Sequence, residues 1–253
     1  MKKIFLLVFV TFIIQASPIF AQNNRVEDNN NIGWYAFFMN YKLADKWSLH
    51  GEFQWRRINW ISDPQQNLYR TGLNYQLHPQ VTLRVGYAYA DTYNYGEIPI
   101  NGSGMRFPEH RTYLMALVSN PIGKVSLSHR FMLEQRWVGR NSNPNEKVID
   151  DYVYVNRARY MFRMDLPLKG NTLDDKEPYL AAYDELLIGF GKNVNQNIFD
   201  QNRIGILVGF KFSRTTRIEA GYFNQTLQLG RLVEGKNVFQ HNNGFIINTF
   251  INF

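Results

Sequence analysis

The chain has 253 residues, 45% apolar and 15% aromatic, with a formal charge of +7 and no cysteine. That is too apolar for a disordered chain and enough for one sizeable folded unit. Without a thiol there is no disulfide scaffold, no cysteine-ligated zinc or iron–sulfur centre, no thiol nucleophile and no lipoprotein anchor.

Lys2 and Lys3 precede the apolar run Ile4 to Ile14, and Ala16-Ser17-Pro18-Ile19-Phe20-Ala21 follows. A basic start, a short apolar stretch and a small residue at the cut site make an export signal, cleaved after Ala21. The run is too short for a transmembrane anchor, which needs ~20 apolar residues. Residues 22–31 (QNNRVEDNNN) are polar and turn-prone and predict a loose tail. The expected organisation is therefore a signal over 1–21, a tail over 22–31 and one folded unit over 32–253.

From Trp34 onward the hydrophobic period is two. Leu49, Gly51, Phe53 and Trp55 alternate with His50, Glu52, Gln54 and Arg56, and Val81, Leu83, Val85, Tyr87 and Tyr89 with Thr82, Arg84, Gly86, Ala88 and Ala90. The same pattern recurs over 157–164 and 203–212. This is strand periodicity. Segments of this length exceed a usual soluble strand of ~5–6 residues and suit a tilted membrane strand. Turns at 44–46, 78–80, 120–124 and 213–215 are tight, whereas 92–109, 139–151, 191–200 and 229–242 read as long loops. Short turns at one end and long loops at the other are the pattern of an outer-membrane barrel. Residues 167–178 depart from it as a longish connection on the short side.

The sequence thus predicts an all-β fold, a transmembrane antiparallel β-barrel. Eleven strands are visible, starting near Ile32, Trp47, Asn67, Val81, His110, Val125, Tyr152, Tyr179, Gln201, Thr216 and Asn243. Bacterial single-chain barrels have even strand numbers, so twelve are expected, with ten as the alternative. Trp34, Trp47, Trp55, Trp60 and Trp137 fall near strand ends, as interfacial girdles require. The last strand ends in Phe253, which resembles the signal read by barrel-insertion machinery. Location in the outer membrane of a Gram-negative bacterium follows, with membrane lipid and that machinery as partners. A secreted β-sandwich is the competing architecture, because alternation alone does not separate the two.

If the apolar face meets lipid, the other lines a lumen. The predicted lumenal charge network is Arg56, Arg84, Arg130, Glu134, Arg136, Arg157, Arg159, Arg163, Glu185, Arg203, Arg217 and Glu219, with Glu52 and Lys211 on the same face. An arginine at the bilayer midplane on a barrel's outside costs ~2–4 kcal/mol, so these charges belong inside. Glu134 with Arg136, and Arg217 with Glu219, are next-but-one neighbours placed to pair. Such charges either pair off and close the barrel, or leave a cation-rich lumen that selects small anionic solutes.

Chemistry is thinly signalled. Ser128 and His129 are adjacent, so strand alternation sends them to opposite faces. The acidic pairs Asp150-Asp151 and Asp174-Asp175 fall in loops, and no His, Asp or Glu cluster has metal-ligand spacing. No catalytic residue, cofactor or metal is expected, and an outer-membrane hydrolase ranks third, behind a channel and a closed barrel. Nor is nucleic acid an expected partner, because the arginines alternate with lipid-type side chains instead of forming a soluble basic face.

Several elements run in order: His129-Arg130 with Glu134 and Arg136, Arg157-Ala158-Arg159-Tyr160, Tyr183-Asp184-Glu185, Phe199-Asp200-Gln201-Asn202-Arg203 and Gly221-Tyr222. In these the chain resembles a bacterial outer-membrane barrel family known as domain of unknown function 2490, common in Bacteroidota, over about 34–253. The resemblance implies a fold and a location, with no activity and no catalytic residues to carry over.

Overall fold

The computed structural model describes residues 25–141, 143 and 148–253. The expected export signal and residues 22–24 of the expected tail lie outside them. Eleven strands follow one another: β1 (Arg25–Lys42), β2 (Trp47–Ile58), β3 (Asp63–His78), β4 (Val81–Thr92), β5 (Phe107–Ile122), β6 (Val125–Arg140), β7 (Asp151–Pro167), β8 (Glu177–Phe190), β9 (Phe199–Lys211), β10 (Thr216–Val233) and β11 (Lys236–Asn252). Each pairs with its sequence neighbours, and β1 pairs with β11 to close a barrel.

The count among the described residues is eleven, where twelve or ten was expected. In an up-and-down barrel with an odd number of strands the first and last run the same way. The seam is accordingly parallel, from Arg25 beside Asn237 to Asn40 beside Asn252, while all other pairings are antiparallel. Two loop expectations are corrected by the same sheet. Residues 25–31 are not a loose tail but the upper part of β1, because β11 offers their backbone a partner. Residues 229–242 are not a long loop. They hold the end of β10, a two-residue turn and the start of β11, with Glu234 at φ 50° and Gly235 at φ 74°. Two successive positive φ values make the hairpin turn whose twist matches its strands.

The other connections are lopsided. Residues 43–46, 79–80, 123–124 and 212–215 are short at one end, here the lower, and 93–106, 141–150 and 191–198 are longer at the upper end. Residues 168–176 interrupt the lower end as a longer connection.

The register fixes the barrel's dimensions. A row of directly paired residues leaves β1 at Lys42 and passes Ser48, Asn74, Arg84, Met115, Met132, Arg159, Leu187, Gln201, Leu227 and Gln240. It returns to β1 at Asp28, fourteen residues higher. With strands ~4.8 Å apart and a rise of ~3.3 Å per residue, that shear tilts the strands by about 40° and makes a barrel about 22 Å across between backbones. Arginines reaching in from facing walls can meet across such a space.

Side chains sort by parity. Ile32, Trp34, Ala88, Ala90, Tyr113, Tyr179, Leu207 and Phe223 are buried inside, whereas Phe37, Leu49, Val85, Leu114, Phe131, Ile206 and Val208 stand exposed outside. Inward aromatics are accommodated by inward glycines. A Cβ on Gly205 or Gly209 would lie 2.4 or 2.2 Å from the ring of Tyr183 or Tyr179, their cross-strand partners on β8. Only glycine leaves room for those rings to lie flat on the wall.

Candidate functional site

All twelve residues of the expected lumenal network sit on inward-facing strand positions. At mid-height their charges form a septum. Glu134, fully buried, accepts from Arg157 Nε at 2.6 Å and from Arg159 Nη1 at 2.9 Å. Glu185 accepts from Arg159 Nη2 at 2.6 Å and Arg130 Nη2 at 2.7 Å, with Arg203 Nη1 at 3.4 Å. Arg157 also donates to Asp200 at 2.6 Å. Arg136 reaches Asp200 at 3.9 Å and shares Glu109 with Arg111, whose Nε donates at 2.7 Å. The result is one alternating chain of charge from Arg130 up to Arg111. Arg70 joins it from β3, donating to Glu52 at 2.6 Å and lying 3.9 Å from Glu134. A second cluster lies lower, where Arg163 donates to Glu219 at 2.6 Å and to Asp165 at 2.6 Å.

The next-but-one pairs expected from sequence do not form. Glu134 is taken by Arg157, its direct cross-strand neighbour, and Arg136 turns to Glu109 beside its own neighbour Arg111. Glu219 is taken by Arg163, while Arg217 lies over the Phe250 ring at 4.2 Å. Both kinds of neighbour are used elsewhere: Arg111 with Glu109 and Arg163 with Asp165 are next-but-one pairs that form, and Arg163 reaches Glu219 from β7 to β10 across the interior.

Three of the predicted arginines have no carboxylate within ion-pair distance among the described residues. Arg56 donates to Gln54 and Gln66 and stacks on Trp34 at 3.7 Å. Arg84 donates to Asn74 at 2.5 Å. Arg217 makes the Phe250 contact described above. Every arginine of the septum has a carboxylate within ion-pair distance; these three do not.

Two cavities flank the septum. The upper, of about 380 Å³, is lined by Arg56, Arg111, Arg136, Arg157, Gln201 and Gln225 among others. The lower, of about 400 Å³, is lined by Arg84, Arg130, Arg163, Arg217, His50 and Ser128 among others. Trp34, Arg56 and Arg203 border both, so this cation–aromatic stack is part of the shared wall. The upper cavity is roofed by the 93–106 loop. Asn242 donates to the Tyr95 hydroxyl at 3.2 Å, Gln240 to Ile98 O at 2.9 Å and Arg231 to Pro99 O at 2.7 Å. Burial pushes the Tyr95 phenol up to about 12.

Sequence reasoning missed Arg70, Glu109 and Arg111. The signal was present: Leu68, Arg70, Gly72 and Asn74 alternate with Tyr69, Thr71, Leu73 and Tyr75, and Glu109, Arg111 and Tyr113 with His110, Thr112 and Leu114. The sequence pattern places Glu109 and Asp200 at loop ends, and Asp200 and Asp165 are further members that the expected network lacks. Among the described residues no group of three His, Cys, Asp or Glu side chains is placed to hold a metal ion.

On the outside, Thr112, Gln135, Asn156, Asn202, Asn224 and Asn243 form a polar ring, with Thr112 bonded to Gln135 and Asn224 to Asn243. Below it the outward positions are mostly aliphatic, aromatic or small, with His129 bonded to the Tyr160 hydroxyl among them. Among the described residues Asp184 is the one carboxylate or strong cation in this belt. On β6 the interval from Val125 to Gln135 rises about 25 Å at the strands' tilt.

A family model described as a protein of unknown function, DUF2490, matches residues 31–231. No curated protein matches the chain. Among solved structures, a porin refined at 1.8 Å resolution aligns with a TM-score of 0.36 and 12% identity, covering 83% of this chain and 60% of the porin's. The chain thus spans about three fifths of that porin's length.

Proposed function

The chain belongs to the DUF2490 family, whose function is unknown, and we propose from its geometry that it is an outer-membrane barrel admitting small anionic solutes. The membrane reading is supported by the outer face. A largely apolar belt, with the aromatic pair Trp47–Tyr75 at its lower edge and Tyr35–Trp55 about 20 Å higher, approaches the height and has the aromatic borders of a bilayer-spanning barrel. A closed sheet pairs its strand backbone internally, as hydrocarbon requires. The export signal expected over residues 1–21 supplies the route.

One observation carries the anion reading. Arg56, Arg84 and Arg217 face the cavities without carboxylate partners, while each arginine of the septum between them has one. Positive charge is thus in excess in the septum as well as where solute enters, and fixed charge near a narrow path selects the opposite sign. The role is passage rather than catalysis. Purified protein in planar bilayers should show small conductance steps with a reversal potential favouring chloride over potassium. Cation preference would overturn the reading. The septum favours a second reading, a closed structural or interaction barrel, and complete electrical silence of inserted protein would establish that one instead.

A further inference from the structure

We propose that the lower cavity is a binding site for a tetrahedral oxyanion, a phosphate or sulfate group on a small solute, held between Arg84 and Arg217 beneath the septum. The inference deepens the anion reading and relies on it for the site's role, though not for binding itself.

Arg84 stands on β4 and Arg217 on β10, which lie nearly opposite around the ring of eleven strands. Both line the cavity, and each is partnered only by neutral groups: an amide oxygen for Arg84, the face of a ring for Arg217. A cation taken out of bulk water without a counter-charge is costly, and an entering anion removes that cost. Two further arginines of the same lining leave donors unused: the Nε groups of Arg70 and Arg130 are buried with no hydrogen-bond partner, and Arg70 is only 7% exposed. Ser126 and Ser128 add hydroxyls from a third wall, β6.

The direction of approach selects the ligand's shape. A planar carboxylate is best met by two parallel N–H groups from one side, as a single guanidinium supplies. Donors converging from facing walls and a third side suit an anion with oxygens pointing in every direction. A volume of about 400 Å³ lies in the range of small-molecule pockets and leaves room for a small group attached to the oxyanion. The carboxylates present do not compete, because Glu52, Asp165, Glu185 and Glu219 are each engaged by an arginine.

The test is calorimetric titration of the full chain in neutral detergent with inorganic phosphate, sulfate and acetate at fixed ionic strength. One phosphate or sulfate should bind per chain, and acetate at least tenfold more weakly. Arg84→Gln and Arg217→Gln should each weaken phosphate tenfold or more, whereas Arg106→Gln at the upper mouth should change it less than twofold. If Arg84→Gln does not fold, Arg84→Lys replaces it, keeping the charge but losing the fork, with a smaller weakening expected. No phosphate or sulfate binding, equal binding of acetate, or equal loss in Arg106→Gln would each overturn the site. Binding in detergent needs no open path. Phosphate binding with electrically silent bilayers would leave the site standing and remove the channel; anion-selective current without phosphate binding would do the reverse.

Discussion

Glu134 is the residue on which the septum turns. It is completely enclosed and takes charge-assisted hydrogen bonds from two arginines on β7, each of which keeps a second carboxylate, Asp200 for Arg157 and Glu185 for Arg159. Removing one partner of a buried ion pair costs about 3–5 kcal/mol, because the remaining charge is left without compensation. The second carboxylates soften that loss, so Glu134→Ala should destabilise the barrel by about 3 kcal/mol. A lowered urea midpoint for refolding into lipid vesicles, with an unchanged slope, is the measurement. Asp184 poses the opposite case. It faces outward between Phe162 and Ile204, its cross-strand neighbours, with Asn202 donating to it at 2.5 Å. In hydrocarbon a carboxylate at that depth costs less than an arginine but is still unfavourable. Asp184→Leu should therefore stabilise the barrel in vesicles by about 1 kcal/mol, read from the same titration. A loss of stability on that substitution would speak against lipid at the belt.

Among the elements, the 93–106 loop has the most to say about access. It leaves β4, crosses the upper mouth and is held by β1, β10 and β11 through Asp28, Arg231, Gln240 and Asn242. Gly96, at φ 75°, permits the crossing, since a Cβ there would lie 2.4 Å from an Asp28 oxygen. Tyr95 makes the docking sensitive to alkali. Burial raises its phenol from 10 to about 12, so the undocked loop loses its proton first as pH rises. Docking is unaffected below pH 10 and weakens between pH 10 and 12, by at most about 2–3 kcal/mol. Cleavage within the loop by an alkaline-active protease should rise over that range in the wild type and stay flat in Tyr95→Phe. Little of this roof was legible in the sequence, because docking depends on amides of β11 that composition alone marks as loop. Strand parity, by contrast, was legible wherever apolar and charged residues alternate, as in β2, β4, β7 and β9. It failed at 236–242, where both faces are polar: Gln240 and Asn242 are buried inside while Asn243 faces out to bond Tyr222. In a barrel with a wet or hydrogen-bonded lumen, polarity does not mark the end of a strand. The network's members could be read from parity, but their partners could not, since same-strand, cross-strand and cross-barrel contacts compete for each carboxylate, as Arg111–Glu109, Arg157–Glu134 and Arg163–Glu219 show.

For the whole molecule, the odd strand number has a topological consequence. β1 starts at the end that carries the long loops, and β11 finishes at the end that carries the short turns. A barrel with an even count has both termini on one side. On the proposed membrane reading, with the short turns in the periplasm as in bacterial outer-membrane barrels, Arg25 stands at the cell surface and Phe253 inside. Two epitope tags separate these arrangements, one placed directly after Ala21 and one after Phe253. Antibody added to intact cells should label the first and miss the second, and permeabilised cells should label both. The parallel seam makes this a test of closure as well as orientation. Were the first tag also hidden until permeabilisation, the parallel pairing of β1 with β11 from Arg25–Asn237 to Asn40–Asn252 would have to open for a further strand antiparallel to both. Such a strand would leave β1 paired with β2, and Trp34 with Arg56, but would widen the barrel and draw them from Arg203 in the wall the two cavities share. The position of the amino terminus therefore decides the Trp34–Arg203 contact, whereas the charge chain from Arg130 to Arg111, borne by β5 to β9, does not depend on it.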